Sequence, residues 1–204
     1  STVRGDRFES ISAICACITV TGLLMMWPTE SGAWVRHMSD VPEDADTYLT
    51  THVNRARYAG EGVDFIQASG LRGNIFNNYT LGAYLGFHVA PDSRTFIDGR
   101  AEHYPPEVMI DYDVITAGSA RSDGRHYLDI LHDRNVNIFF GVGGPGYGYM
   151  ADDTLYHLEA VPWWTLVFRS AGHGIWLLNN AKNQNNFERI QDFYESKSIR
   201  FLSR

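Results

Sequence analysis

At 204 residues the chain has room for one full domain and an attachment, and too little for two ordinary domains. Apolar residues at 44% and charged residues at 20% sit near the globular average, which excludes a wholly disordered or wholly membrane-embedded chain. The net charge of −7, from 17 Lys+Arg against 24 Asp+Glu with no basic run, excludes a nucleic-acid partner, because displacing counterions from phosphates needs a basic face.

The first informative element is ISAICACITVTGLLMMWP, Ile11 to Pro28, which carries no charge. With Phe8 it approaches the ~20 apolar residues that cross a bilayer, so residues 8–28 are predicted to insert in the lipid. Arg4 and Arg7 flank one side, with Trp27 and Trp34 near the other, which places the remainder outside the cytoplasm. Two competing readings are a signal peptide with Ser31-Gly32-Ala33 as its cleavage site, and a buried soluble helix diluted by Ser12, Thr19, Thr21 and Gly22. Cys15 and Cys17 are two apart and point to different helix faces, so they cannot bridge there. Residues 1–33 are thus a cytoplasmic flank and transmembrane helix, and 34–61 an acidic connector with one short helix around Asp46 to Tyr58.

Residues 62–204 then alternate between two patterns. GVDFIQASGLRG reads as a short helix closing on glycine. NIFNN, Asn74 to Asn78, is a strand; YTLGAYLGFHV is apolar on nearly all sides and reads as a buried helix; RTFID is a second strand. PPEVMIDYDVITAG starts with prolines suited to a helix N-terminus, and DGRHYLDILHDRN is a further helix. NVNIFFGVG, Asn135 to Gly143, is the third strand, and Asp152 to Ala160 another helix. WTLVFRS and GIWLLNN form a hairpin-like pair, with Trp163, Trp164 and Trp176 expected in the core. NNFERIQDFYESK puts Phe187, Ile190, Phe193 and Tyr194 on one helical face. The alternation predicts a three-layer α/β domain with a mixed, mainly parallel sheet of about five strands, the first three parallel.

Open α/β sheets place ligands beyond the carboxyl ends of their strands. Those ends read Asn77-Asn78-Tyr79, then Asp98-Gly99-Arg100-Ala101-Glu102, then GVGGPGYGYM from Gly141. The expected rim is therefore Asn77, Asn78, Tyr79, Asp98, Arg100 and Glu102. Asp98 and Glu102 are a carboxylate pair that would divide acid and base roles only if their environments separated their pKa values, and Arg100 between them works against that. A structural corner, with Asp98 capping and Arg100 tying loops, is the favoured reading. GVGGPG matches G-x-G-x-x-G formally, yet it follows the third strand and contains Pro145, so it does not read as a dinucleotide fingerprint. A surface loop gripping a partner through Tyr147 and Tyr149 fits better. Asp111 and Asp113 diverge on a helix, His126 and His132 share no face, and His103 beside Glu102 lacks companion metal ligands. No serine sits in G-x-S-x-G, and Asn78-Tyr79-Thr80 is a formal glycosylation sequon. The residues call for no cofactor, metal or nucleophile.

GNIFNNYTLGAYLGFHVAPDSRTFIDGRAEHY, Gly73 to Tyr104, resembles a motif of bacterial inner-membrane proteins related to the glycosyltransferase-C superfamily, G-N-[VI]-F-N-x-Y-x-x-G-G-Y-L followed by V-F-I-D-G-R. Gly73, Asn74, Phe76, Asn77, Tyr79, Gly82, Tyr84, Leu85, Pro91, Phe96, Ile97, Asp98, Gly99, Arg100 and Tyr104 match, while Ala83 stands where the pattern has a second glycine. NNFERIQDFYESKSIRF resembles the family's closing helix, so the resemblance covers most of residues 8–204. It implies an extracytoplasmic α/β domain behind a transmembrane helix, and a signature held for architecture or ligand capture.

The expected function is that of a non-catalytic, single-pass accessory or structural subunit of a respiratory, photosynthetic or transport complex in a bacterial inner membrane, with its domain in the periplasm. Eleven Tyr, five Trp and eleven Phe supply interface-type residues for contacts with other subunits. The rival is the C-terminal domain of a glycosyltransferase-C-type membrane enzyme whose rim binds a sugar or lipid-linked substrate. A weaker third reading is a periplasmic binding module for a small ligand.

Overall fold

The computed structural model describes residues 58–143 and 153–201. The apolar stretch at 8–28, the connector helix around Asp46, and the loop tyrosines Tyr147 and Tyr149 lie outside the described residues. Among the described residues no helix is long and apolar enough to cross a membrane.

In chain order the elements are α1 (Gly60–Ser69), β1 (Asn74–Phe76), α2 (Tyr79–Val89), β2 (Arg94–Thr95), α3 (Pro106–Thr116), α4 (Tyr127–Asp133), β3 (Ile138–Val142), β4 (Trp164–Arg169), β5 (His173–Leu178) and α5 (Gln184–Ser196). The sheet order is β2-β1-β3-β5-β4. β1 pairs parallel with both β2 and β3, as the helical crossovers require, and β5 runs antiparallel to β3 and β4. Two of the four pairings are parallel, so the sheet is evenly mixed and not mainly parallel: the late hairpin inserts its second strand, β5, between β3 and β4.

Alternating side chains send the strands' apolar residues to opposite faces. Ile75, Ile138, Phe140, Val142, Ile175 and Leu177 pack with Val63, Ile66, Leu81, Leu85 and Ile190 from α1, α2 and α5. Phe76, Phe139, Trp164 and Trp176 pack on the other face with Tyr112, Ile115, Ile130 and Leu131 from α3 and α4. Helices therefore cover both faces. Each fully buried side chain of this size contributes roughly 1.5–3 kcal/mol.

Several local expectations are corrected. α2 is buried along Leu81, Leu85 and Val89, one stripe at four-residue spacing, and at Gly82 beside it, while Phe87 is 82% exposed. Asp153 to Ala160 is a chain of turns with bonds from His157 to Thr154, Glu159 to Tyr156 and Val161 to Leu158, three residues apart. Thr154, bonded to Val142, starts this stretch, and Leu155 and Leu158 drop into the second core. Packing overrides helix periodicity there. Trp164 and Trp176 are core, but Trp163 is 50% exposed just before β4. In α5, Ile190 is fully buried and Phe187, Phe193 and Tyr194 pack against the first core, as the spacing predicts.

At the amino ends of β1 and β3 an amide network closes the sheet. Asn137 Oδ1 accepts from Asn74 N at 2.6 Å, and Asn137 Nδ2 donates to Asn183 Oδ1 at 2.8 Å. Asn183 Nδ2 donates to the carbonyls of Asn137 and Leu178 at 2.7 and 2.8 Å, and Asn186 Nδ2 joins Asn183 Oδ1 to the Arg72 carbonyl. Gly73, at φ +147°, sits against the Asn137 amide where a Cβ would collide with it.

Candidate functional site

The carboxyl ends of β1 and β2 adjoin, and the polar residues expected on a rim do meet there. Asn77 is fully buried. Its Oδ1 accepts from Phe96 N at 2.9 Å, and its Nδ2 donates to the carbonyls of Ile97 and Asn78 at 2.8 and 2.9 Å. The side-chain amide thus acts as one more rung of the β1–β2 ladder. This is why β2 is shorter than RTFID suggests: beyond Thr95, only the Phe96 N–H reaches the Ile75 carbonyl before the amide takes over.

Asn78 caps α2. Its buried Oδ1 accepts from Thr80 N at 2.9 Å and from Thr80 Oγ1 at 2.6 Å, so the formal sequon is spent on a helix cap. Tyr79 N donates to the Tyr112 hydroxyl at 2.9 Å, and the Tyr79 hydroxyl donates to the Gly99 carbonyl at 3.1 Å. One turn on, Gly82 lets α2 lie directly on the end of β2. A Cβ there would overlap the Ile97 carbonyl oxygen and stand 2.7 Å from Asp98 Cα. Ala83, which departs from the resembled pattern, is exposed and meets no such constraint.

Asp98 is buried and takes four bonds from one residue, one of them from Arg100 Nε to Oδ2 at 3.2 Å. Arg100 N reaches Oδ1 at 3.0 Å, Nε lies 3.1 Å from Oδ1, and Nη2 lies 2.5 Å from Oδ2. The hydrogen bond from the Arg100 side chain holds the Asp98 carboxyl below its ordinary pKa, against the opposing effect of burial. Tyr104 stands beside the pair, and burial first, then the Asp98 charge, push its phenol upward. Glu102 is elsewhere: its side chain is 70% exposed and lies 3.5 Å from His103 Nε2. The two carboxylates do not form an acid–base pair. One is locked ionised and the other is solvated. The third strand end also behaves differently from a converging rim, since Gly143 N bonds the Gly172 carbonyl and Thr154 N bonds the Val142 carbonyl. β3 there belongs to the antiparallel side of the sheet.

Three further arrangements had no sequence signature. Asp111, on α3, is buried and grips two arginines: Oδ1 accepts from Arg121 Nη1 at 2.9 Å, and Oδ2 accepts from Arg134 Nε and Nη2 at 2.8 and 2.6 Å. Arg134 in turn lines a hollow of ≈ 270 Å³ with Arg94, Asn74, Tyr104 and Val108. A larger groove of ≈ 570 Å³ runs along β4, walled by Leu158, Trp164, Leu166, Arg169 and Trp176. There the Arg169 guanidinium lies 5.6 Å from the Trp176 ring and 5.7 Å from the Tyr156 ring, and pairs with Glu159. His173, buried against Phe140 and Phe168, has Nδ1 2.9 Å from Ser170 Oγ. No carboxylate hydrogen-bonds its ring among the described residues, so the serine has no oriented base beside it. The described residues hold no cluster of three or more candidate metal ligands.

No family model matches the chain, and neither a curated protein nor a solved structure matches it. The likeness of residues 73–104 to the glycosyltransferase-C-related pattern therefore rests on the motif alone. Its matched residues Asn77, Tyr79, Gly82, Asp98 and Arg100 are those that build the corner, while Gly73 sits at the other end of β1 against Asn137.

Proposed function

We propose that this chain is a non-catalytic, membrane-anchored accessory subunit of a bacterial inner-membrane complex, which binds its partners through the α/β domain outside the cytoplasm. The observation that carries the reading is the character of the β4 edge. Six large apolar side chains are exposed among the described residues; Trp163 and Leu166 fall just before and on β4, and Tyr156 lies 5.7 Å from the Arg169 guanidinium at its end. They accompany a groove backed by tryptophan and the one hairpin strand with an unpaired side in the described sheet. An extended segment of a neighbouring subunit fits there, pairing with the outer backbone edge of β4 away from its irregularity between Leu166 and Phe168, where Tyr194 already holds the Val167 carbonyl, while its side chains enter the groove. The saturated corner at Asp98 agrees with an architectural use of the signature motif.

The test is gentle detergent extraction of the native protein, followed by mass spectrometry of the intact chain and its companions, for the natural protein and a Leu166→Asp variant. The proposal expects companions in fixed ratio that the variant loses. A stable, monodisperse monomer from native membranes overturns it. A much heavier chain carrying many upstream helices would instead support the enzyme-domain reading, with the rim from Asn77 to Arg100 as the place to seek a bound sugar.

A further inference from the structure

The hollow at the amino ends of β1 and β2 carries an inference that is independent of the β4 edge. Its charged lining consists of Arg94 and Arg134, with no carboxylate among the lining residues. The two arginines are in different situations. Arg134 is held by Asp111 through Nε and Nη2, which orients its guanidinium. Arg94 is exposed on the edge strand and forms no ion pair among the described residues. The ion network behind them balances itself: Asp111, Asp123 and Asp133 face Arg121, Arg125 and Arg134. Arg94 is therefore an additional positive charge over the hollow. Asn74 and Tyr104 add neutral polar groups to its wall, and Val108 and Val136 add apolar ones.

We infer that this hollow binds a phosphate-type oxyanion, either free phosphate or a small phosphate monoester, between Arg94 and the preoriented Arg134. Guanidinium groups recognise tetrahedral oxyanions through paired N–H donors; Arg94 offers its whole fork, while Arg134, its Nε and Nη2 held by Asp111, offers Nη1 from a fixed position. The volume of ≈ 270 Å³ is below that of a drug-sized pocket and suits a ligand of a few heavy atoms.

The experiment is isothermal titration of the full chain in detergent with inorganic phosphate and, separately, with glycerol 3-phosphate, against chloride at matched ionic strength. The natural protein is expected to give a saturable signal with at least one of them. Arg94→Gln, at an exposed position, is expected to weaken it roughly tenfold or more, the worth of one charge-assisted hydrogen bond. Arg72→Gln, which removes an arginine paired with Asp92, is expected to leave binding unchanged. Thermal midpoints without phosphate check that both variants are folded. Tighter binding of the ester identifies a monoester as the ligand, and tighter binding of the free ion identifies phosphate itself. Absence of saturable binding to either, or equal binding by Arg94→Gln and the natural protein, overturns the inference.

Discussion

Gly82 lies under the Ile97 carbonyl so closely that no side-chain carbon fits between them. The contact explains why a helix follows β1 immediately and why the FIDGR stretch turns where it does. α2 rests on the last peptide of β2, and Asn77 fills the remaining gap with its amide. The corner is a close-packed junction whose polar groups are mutually satisfied.

Gly82→Ala is expected to destabilise the domain by about 1–3 kcal/mol, because the opposing atoms are backbone and cannot swing aside. Ala83→Gly, at the exposed neighbouring position, is expected to cost only the smaller helix-propensity difference of about 1 kcal/mol. Urea unfolding followed by tryptophan fluorescence measures both. Equal effects would show that α2 does not sit on β2 in this way.

Asn183→Ala removes a fully buried amide that joins Asn137, Leu178 and Asn186. The carbonyls of Asn137 and Leu178 lose this donor but keep Leu178 N and Asn180 N, whereas Asn137 Nδ2 loses its acceptor. A loss on the order of 1–3 kcal/mol is expected, the cost of leaving one largely enclosed amide donor without its acceptor. Asn185→Ala, two residues on and exposed, serves as the control and is expected to change stability by less than about 0.5 kcal/mol.

Asp111→Asn leaves Arg121 and Arg134 without their shared carboxylate. The expected loss is about 3 kcal/mol, at the low end for a broken buried pair because both guanidinium groups keep partial contact with water. Asp113→Asn, on the exposed side of α3, is expected to change little. Thermal unfolding of the two variants separates the buried carboxylate from its exposed neighbour.

His173 supplies a pH dependence with a definite sign. Burial lowers its pKa in the folded state, and the charge of Glu61 opposes this more weakly. The unfolded chain therefore binds the proton more readily. Stability from this group is complete above the ordinary histidine pKa of about 6.5 and falls as pH drops below it, towards the folded-state pKa. His173→Gln is expected to flatten stability between about pH 7.5 and pH 5.5 relative to the natural protein. Chemical denaturation at those two pH values checks it, and an unchanged slope would remove His173 as the cause.

Much of the frame was legible beforehand, and particular residues show why. Phe187, Ile190, Phe193 and Tyr194 share one helical face of α5, and Gly70 ends α1 at φ 68°, where glycine is tolerated best. Parallel pairing of β1 with β2 and β3 followed from the helices between them. The shorter β2, the turns at 153–160 and the exposed Trp163 were not legible. Each depends on a neighbour far along the chain: Asn77 for β2, Val142 for Thr154, and the sheet's second face for Leu155 and Leu158.

For the candidate site, the sequence alone placed Asn77, Tyr79, Asp98 and Arg100 at the carboxyl ends of strands expected to run parallel, because strand direction follows from the helical crossovers; the strand order that makes the ends of β1 and β2 adjoin came from the structure. It did not decide which of those polar groups are free. Asp98 and Glu102 are four residues apart, yet one is bound on every side and the other meets water. Arg94 and Arg100 flank the same short strand, yet only Arg100 is spent on a carboxylate. Asp111 was legible only as a helical acid, and its partners lie 10 and 23 residues away. Periodicity is a property of neighbours in the chain, whereas the saturation of a polar group depends on which distant residues folding brings within about 3 Å. That second question only the tertiary structure answered.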